Sequence, residues 1–282
     1  MKRNRRHQQR SGFLLVTVVT MLAVVTLMLS QLASRSMRTA QQAVLQEHEL
    51  QKRWATYSIR TAALENAREL LRAESLRTGR HASSVRRRVV VDGQSYDLLI
   101  SDESAKVNLP VVRLALGTEA TESLVRSLTT SRLRPNQQVN NPELLLGKRW
   151  EDWFDAESIA ATASTRELAR GTSQLTLWGS QKLNVSTCSP QAIEGLWRAL
   201  LSRPVPEELL EVSAEFPAPA LSAVLARLSL RESELNAVRP WLTTESDCYS
   251  VWVFPSADST AKSEFAVEWG VGRGKSQRGY WY

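Results

Sequence analysis

Between Arg10 and Arg35 the chain runs for 24 residues without a formal charge, RSGFLLVTVVTMLAVVTLMLSQLASR. An α-helix rises about 1.5 Å per residue, so roughly 20 apolar residues cross a hydrocarbon core about 30 Å thick. The apolar run of a secretory signal peptide is usually only about 7 to 15 residues. Phe13 to Leu32 is of spanning length. Lys2, Arg3, Arg5, Arg6 and Arg10 all precede it, and positive charge before a first span holds that end in the cytoplasm. The expected topology is single-pass, with a cytoplasmic N-terminus and the body on the far side. Two cleavage sites compete: a small-residue pattern near Ala33, of signal-peptide type, and Gly12, immediately before Phe13.

Beyond the span the chain has the composition of a globular exterior. The 282 residues are 43% hydrophobic and 23% charged, which suits one or two units with real cores and argues against disorder. The formal charge is +7, but five of those charges are the N-terminal residues just named, which leaves +2 for the rest. No basic surface for nucleic acid follows from that balance, and no nucleic-acid partner is expected. Cys188 and Cys248 are the only cysteines. In an extracytoplasmic body a disulfide and two separate thiols are both open to them, because sequence does not show whether their Cα atoms approach within about 7 Å.

The helical pattern continues past the span. Ser34 to Ser75 contains neither proline nor glycine, and Leu50, Trp54, Tyr57, Thr61, Leu64 and Leu71 form a stripe at helical spacing. One helix of about 60 residues, roughly 90 Å long, is expected, ending at Thr78-Gly79 through a glycine cap. Its amphipathic part should pack on the protein's own sheet rather than form a coiled coil. Trp54, Trp197 and Trp241 fall at core-like positions.

Strand patterns come next. SVRRRVVVDGQSYDLLI places two β-rich runs around Asp92-Gly93, a pair suited to a type I′ turn, with Tyr96, Leu98 and Ile100 on one face. SQLTLWGS, DCYSVWVFP and SEFAVEWGV add further candidates. Between them lie helical stretches: EATESLVRSL, NPELLLGKRWEDWFDAESIAATA, SPQAIEGLWRALL, PEELLEVSAEF and ALSAVLARLSLRESELNAVRPWL. The fold class is α+β: a long transmembrane and amphipathic N-terminal helix packed on a small antiparallel sheet, with helical insertions. The expected layout is a basic leader over 1–12, the span over 13–33 and the outer helix over 34–78. The sheet takes 84–108, 174–187 and 247–272, the insertions take 109–173 and 188–246, and 273–282 is a glycine-rich tail.

A leader ending in Gly12, a cut before Phe13 and a hydrophobic helix running into an amphipathic one, then a sheet, resemble the type IV pilin and type II secretion pseudopilin superfamily. SDESAKVNLP (101–110) and LTLWGSQKLNVSTCSPQAI (175–193) are similar to the Asp-Glu-Ser-Gly-Lys-Ile-Asn-Leu and Lys-Ile-Asn-Val-Asn-Thr-Ala-Ser segments of general secretion pathway protein K, the large minor pseudopilin. The resemblance implies a bacterial inner-membrane protein with a periplasmic body that initiates or caps a secretion filament. It implies cleavage between Gly12 and Phe13 by a prepilin peptidase and N-methylation of Phe13. The implied partners are the other minor pseudopilins, the major pseudopilin, the inner-membrane secretion platform and the lipid bilayer. Major pilins carry a glutamate at the fifth mature position, where it pairs with a neighbour's terminal amine, whereas this chain has Thr17 there. An unpaired acid at that depth costs roughly 2.5 to 3.5 kcal/mol on insertion scales, so a subunit with nothing above it does better without one. A hydroxyl can instead bond to its own helix.

The resemblance also implies calcium, a cation that takes roughly six to eight oxygen ligands. No EF-hand-type loop is present, so Asp102, Glu103, Asp152 and Asp155 are candidate oxygen donors that otherwise read as surface acids, and no metal ligand set is assigned. Two segments depart from the family pattern: WEDWFDAES is the only acidic run in the first insertion, and STCS puts Cys188 where a small residue normally stands.

No enzyme is expected. His7, His48 and His81 form no HExxH pair and supply no evident base for a triad, and GVGRGKS (270–276) lacks the first glycine of a phosphate-binding loop. EGLWRALLSRP also lacks the second glycine of a DNA-binding hairpin. The competing assignments are an anchored periplasmic adaptor and a type IV minor pilin-like protein, neither with a role in a secretion filament.

Overall fold

The computed structural model describes residues 5–129, 133–136, 150–160, 165–255, 263–270 and 277–281. It divides into two units, one ending at Ala55 and one running from Thr56.

With no proline anywhere before Pro110, helix α1 (Arg5–Glu65) forms without interruption. Its stretch in the first unit is helical to the end of that unit. The side chains from Phe13 to Leu32 are exposed along it, and the helix is long and apolar enough to cross a membrane. Hydroxyls along it bond back to the preceding turn: Thr17 donates to the carbonyl of Phe13 at 2.9 Å, Thr20 to that of Val16 at 2.9 Å and Thr26 to that of Leu22 at 2.7 Å.

In the second unit the expected single helix is broken once. Asn66 leaves helical geometry at φ −101° and ψ 7°, its amide side chain bonded to the Ala62 carbonyl, and α2 (Ala67–Thr78) follows. Gly79 ends it with φ 67°, the left-handed cap that a Cβ would strain. The buried residues are Thr56, Ile59, Arg60, Ala63, Leu64, Ala67, Leu71 and Ser75, one face of the helical run. This corrects the expected stripe: Leu64 and Leu71 belong to it, but Leu50, Trp54 and Tyr57 are exposed. Ala67, fully buried in α2, stands where that helix packs against β1, β2 and β7.

The strands are β1 (Ser84–Val91), β2 (Gln94–Asp102), β3 (Val107–Asn108), β4 (Leu175–Thr176), β5 (Leu183–Asn184), β6 (Leu242–Thr243), β7 (Cys248–Pro255), β8 (Glu264–Trp269) and β9 (Gln277–Trp281). Five of them make an antiparallel sheet in the order β1-β2-β7-β8-β9. Asp92 (φ 50°) and Gly93 (φ 75°) both take the left-handed conformation that the first hairpin needs. Tyr96, Leu98 and Ile100 are buried on one face, beside α2. The register of β2, β7 and β8 puts Leu99, Trp252 and Phe265 on the other.

Among the described residues, the chain between β2 and β7 builds a second, largely helical layer whose core takes in Trp252 and Phe265 of that other face. It contains α3 (Leu109–Leu128, interrupted at Gly117 with φ 86°), α4 (Ala156–Ala160), α5 (Thr165–Gly171), α6 (Pro190–Leu201), α7 (Glu207–Glu211), α8 (Leu221–Arg227) and α9 (Glu232–Val238). Trp178 joins the layers, its ring centroid 4.6 Å from that of Phe265 and 5.6 Å from that of Trp150. Trp153 and Phe154 of the acidic run are buried in the same core.

Three expectations change. Segment 174–187 adds no strand to the main sheet; it forms two short parallel pairs, β3 with β4 and β5 with β6. Leu175, Leu177 and Trp178 are buried without alternation, as suits backbone enclosed on both sides. The expected tail supplies the edge strand β9, while 271–276, with most of GVGRGKS, lie outside the described residues, as do 141–149 of the NPELLLGKRW helix. The 220–242 helical stretch is two helices, because Leu228 turns extended and Glu234 accepts from the Arg231 amide at 2.9 Å to start α9.

The end of α1 is tied to the sheet by an ion pair whose cation is buried: Arg60, 2% exposed, donates to the half-buried Glu264 of β8 at 2.7 Å. Removing one partner of such a pair strands a charge in a low-dielectric interior. Glu264→Ala is therefore expected to destabilise the chain by roughly 3 kcal/mol or more, measured by denaturant unfolding. A loss below about 1 kcal/mol, the range of exposed pairs, would show that the pair does not tie helix to sheet.

Candidate functional site

The two segments that carry the family resemblance fold against one another. In the first, Asn108 caps α3 by accepting from the Val111 amide at 3.3 Å, and its own amide donates to the Trp178 carbonyl at 3.1 Å. In the second, Asn184 accepts from the Ser186 amide at 3.0 Å and donates to the Ser246 hydroxyl at 2.7 Å. Ser189 then starts α6, accepting from the Ala192 amide at 3.1 Å, with Pro190 in the first turn. Each asparagine thus holds a turn with its oxygen and a distant chain with its nitrogen, which aspartate or leucine in its place could not do.

Asp102 is where the segments meet. It is 1% exposed at the end of β2. One oxygen accepts from the Ser104 amide at 2.9 Å, and the other accepts from the Thr187 hydroxyl at 2.8 Å and the Ser246 hydroxyl at 2.5 Å. Burial pushes its carboxyl up to about 6, against these three hydrogen bonds, which favour the charged form. Glu103, also 1% exposed, accepts from Lys106 and from Ser250 of β7, and its other oxygen is buried with no hydrogen-bond partner among the described residues. Ser104 completes the junction, donating to Asp247 at 3.3 Å and accepting from the Asp247 amide at 3.2 Å.

This junction borders a cleft of about 1020 Å³ lined in part by Arg68, Arg72, His81, Lys182 and Phe216. The His81 ring lies 5.0 Å from that of Phe216 at a 56° tilt, and burial lowers its imidazole below the usual range.

The candidate calcium donors do not assemble. Both oxygens of Asp102 are taken by protein donors, and Glu103 faces Lys106. Among the described residues no group of three or more His, Cys, Asp or Glu is placed to hold a metal ion, so Asp152 and Asp155 do not join Asp102 and Glu103. The described residues do not fit the ion.

Cys188 and Cys248 are buried free thiols, so the chain has no bridge between them. Burial pushes the Cys188 thiol up to about 12 and the Cys248 thiol well above its ordinary value, which makes both poor nucleophiles. Cys248 closes on Gly179, where an added Cβ would stand 2.8 Å from the Cys248 Cβ. Trp197 is buried and Trp241 half-buried. In the first unit Gly12 and Phe13 lie within the helical run of α1, and the Thr17 hydroxyl is satisfied one turn back.

No protein-family model matches the chain. No curated protein matches it either. Among solved structures, a chain from the GspK-GspI-GspJ complex of the enterotoxigenic Escherichia coli type 2 secretion system is similar over 86% of this chain and 99% of that one. The identity is 14% and the TM-score 0.44.

The Asp102 junction has a measurable pH signature. A carboxyl whose folded value lies above its unfolded one binds its proton more tightly in the folded state, so its ionisation costs stability. The folded state is favoured fully below about pH 4, and that advantage is lost as pH rises through about 6. Glu74, held down to about 2 by Arg77 and Arg87, titrates lower and with the opposite sign. Asp102→Asn should abolish the fall between pH 4 and 6, so that the stability difference between wild type and variant shifts by about 2 kcal/mol across that window. A constant difference across the window would place an ordinary, solvated carboxylate at Asp102.

Proposed function

We propose that this chain is a membrane-anchored minor pseudopilin that initiates or caps a periplasmic type II secretion filament and has no catalytic activity of its own. One observation carries the reading: an uncharged run of spanning length, behind a basic leader that ends at Gly12, continues as one helix to Glu65. The similarity of 101–110 and 175–193 to protein K segments supports it, as does the antiparallel sheet that comes after the helix. In this reading a prepilin peptidase cuts before Phe13 on the cytoplasmic face and the new amine is N-methylated. The helix then packs in the inner membrane beside those of other minor pseudopilins and the major pseudopilin, on the secretion platform. The helical layer between β2 and β7 makes the head too bulky for a further subunit above it.

Processing is checked by N-terminal sequencing of the membrane-extracted protein. The expected mature chain begins at N-methylated Phe13. A chain beginning near Ser34, or one retaining Met1, overturns the assignment in favour of an exported protein or a plain anchored adaptor.

The position at the tip is checked through Thr17. Its hydroxyl is satisfied within the helix, whereas a glutamate there would need a subunit above to supply an amine. In cells with the variant as the only copy, Thr17→Glu is expected to leave secretion unchanged or lower it. A clear gain in filament assembly would mean that a subunit does sit above this one, and the capping role would fall.

A further inference from the structure

On the sheet face that carries Leu99 and Phe254, four arginines gather around one carboxylate. Arg86 and Arg88 are two residues apart on β1 and so share a face; Arg166 and Arg170 are one turn apart on α5. They line a cleft of about 390 Å³ together with Leu99, Ala169 and Phe254, and Asp97 is the one acid among its lining residues. Arg87 also borders it, but its guanidinium donates to Glu74 at 2.9 Å and to the backbone carbonyl of Arg86 at 3.1 Å, a bond that an added strand would replace with one of its own amides.

Asp97 is already spent. One of its oxygens accepts from Arg88 at 2.9 Å and the other from Arg166 at 2.9 Å, and Arg166 also lies 5.1 Å over the Phe254 ring. Arg86 and Arg170 have neither a salt bridge nor a side-chain hydrogen bond among the described residues. Both also border a neighbouring pocket of about 210 Å³ that contains Asp102 and Glu103; Asp102 is held by Ser104, Thr187 and Ser246, and Glu103 takes Lys106 and Ser250 on one oxygen, while its other, buried oxygen bonds neither arginine. Gathering like charge beside a single acid opposes folding, so an external anion is the natural complement.

The strand beneath this cluster supplies the rest of a site. β1 is the outermost strand of the sheet and, among the described residues, pairs only with β2. Every second residue of such a strand turns its amide and carbonyl outward. The face presents Arg86, Arg88 and then Val90, which is 62% exposed. Charges alone on an edge strand serve to repel other strands. Here, however, a helix brings two more arginines to the same cleft, over apolar side chains.

We propose that the β1 edge, with Arg86 and Arg170, docks an extended acidic segment of a partner protein as a sixth strand. Directly opposed residues on one face of a sheet sit about 5 Å apart, so the added strand places carboxylates at alternate positions opposite Arg86 and Arg88 and an apolar side chain opposite Val90. Arginine forks take such carboxylates in bidentate fashion. The inference does not depend on the filament reading, because it concerns only this edge.

The test uses the full chain in nanodiscs of uncharged phosphatidylcholine, with a fluorescent nonapeptide Thr-Val-Thr-Glu-Thr-Glu-Thr-Val-Thr, whose symmetry allows either strand direction. Anisotropy should show saturable binding that weakens with salt. The Arg86→Ala/Arg170→Ala double variant should lose about tenfold or more in affinity with an unchanged melting temperature, since neither side chain bonds elsewhere. Two changes to the probe need no variant of the protein: glutamine in place of both glutamates, and N-methylation of one or other alternating set of amides. The glutamine probe and one of the two methylated probes should each lose a similar factor. The proposal is overturned if the peptide does not bind, if both methylated probes or the double variant bind as tightly as the originals, or if phosphatidylglycerol vesicles displace the peptide from the arginines.

Discussion

A buried carboxylate that hydrogen-bonds three separate pieces of chain holds this architecture together. β2 ends at Asp102, and β7, its neighbour in the sheet, begins only after the whole helical layer has been built. Loop-closure entropy grows only with the logarithm of loop length, so a long insertion between paired strands is cheap to close. Its placement is the harder requirement. Ser104, Thr187 and Ser246 come from the start, the middle and the end of that insertion, and all three donate to Asp102. The insertion is thereby pinned at the point where the chain leaves the sheet, at the turn before α6 and at the return into β7. Burying the carboxylate carries a cost, reflected in its raised proton affinity, and three donors offset it only in part.

The sheet then separates two kinds of packing. On one face α2 packs through Ala67, Leu71 and Ser75, and the Arg60–Glu264 pair ties the end of α1 to β8. On the other, Trp178, Trp252, Phe265 and Trp150 interlock as large rings, which bury extensive area wherever the spacing between layers is wider. Asn108 caps α3 and Asn184 holds the turn ahead of α6, whose cap is Ser189, while both asparagines reach across to a distant chain. A short Asn-containing segment can therefore matter to the fold far more than its two-residue strands suggest.

Much of this was legible in the sequence. The spanning run, the Asp92-Gly93 hairpin, the glycine cap after Thr78 and the α+β class all rest on local chemistry: charge, breakers, and residues that tolerate positive φ. The misreadings arose where partners are distant. Tyr57 fits a helical stripe, yet the residues buried beside it are Thr56, Ile59 and Arg60. Leu175 to Trp178 reads as a strand by composition but is enclosed on both sides. Asp102 and Glu103 read as surface acids or cation donors because their hydroxyl and lysine partners, Thr187, Ser246, Ser250 and Lys106, acquire meaning only once the chain is folded. The Arg86–Arg88 run was visible in SVRRRVVV, but Arg166 and Arg170, in a short helix that the sequence pattern did not mark, reach it only through the packing of α5.

The contrast among the molecule's charges sorts structure from recognition. Arg60, Asp102 and Glu103 are buried and each has a specific partner, as the cost of desolvation demands. Glu74 and Asp97 are more exposed and each gathers two arginines. Exposed pairs of that kind add little to stability, so folding alone gives weak reason to assemble them. Around Asp97 the imbalance goes further: the acid satisfies Arg88 and Arg166 and leaves Arg86 and Arg170 over an apolar floor at a sheet edge. An arrangement that contributes little to the fold, yet is built from two separate elements, is better accounted for by what it can bind than by what it stabilises.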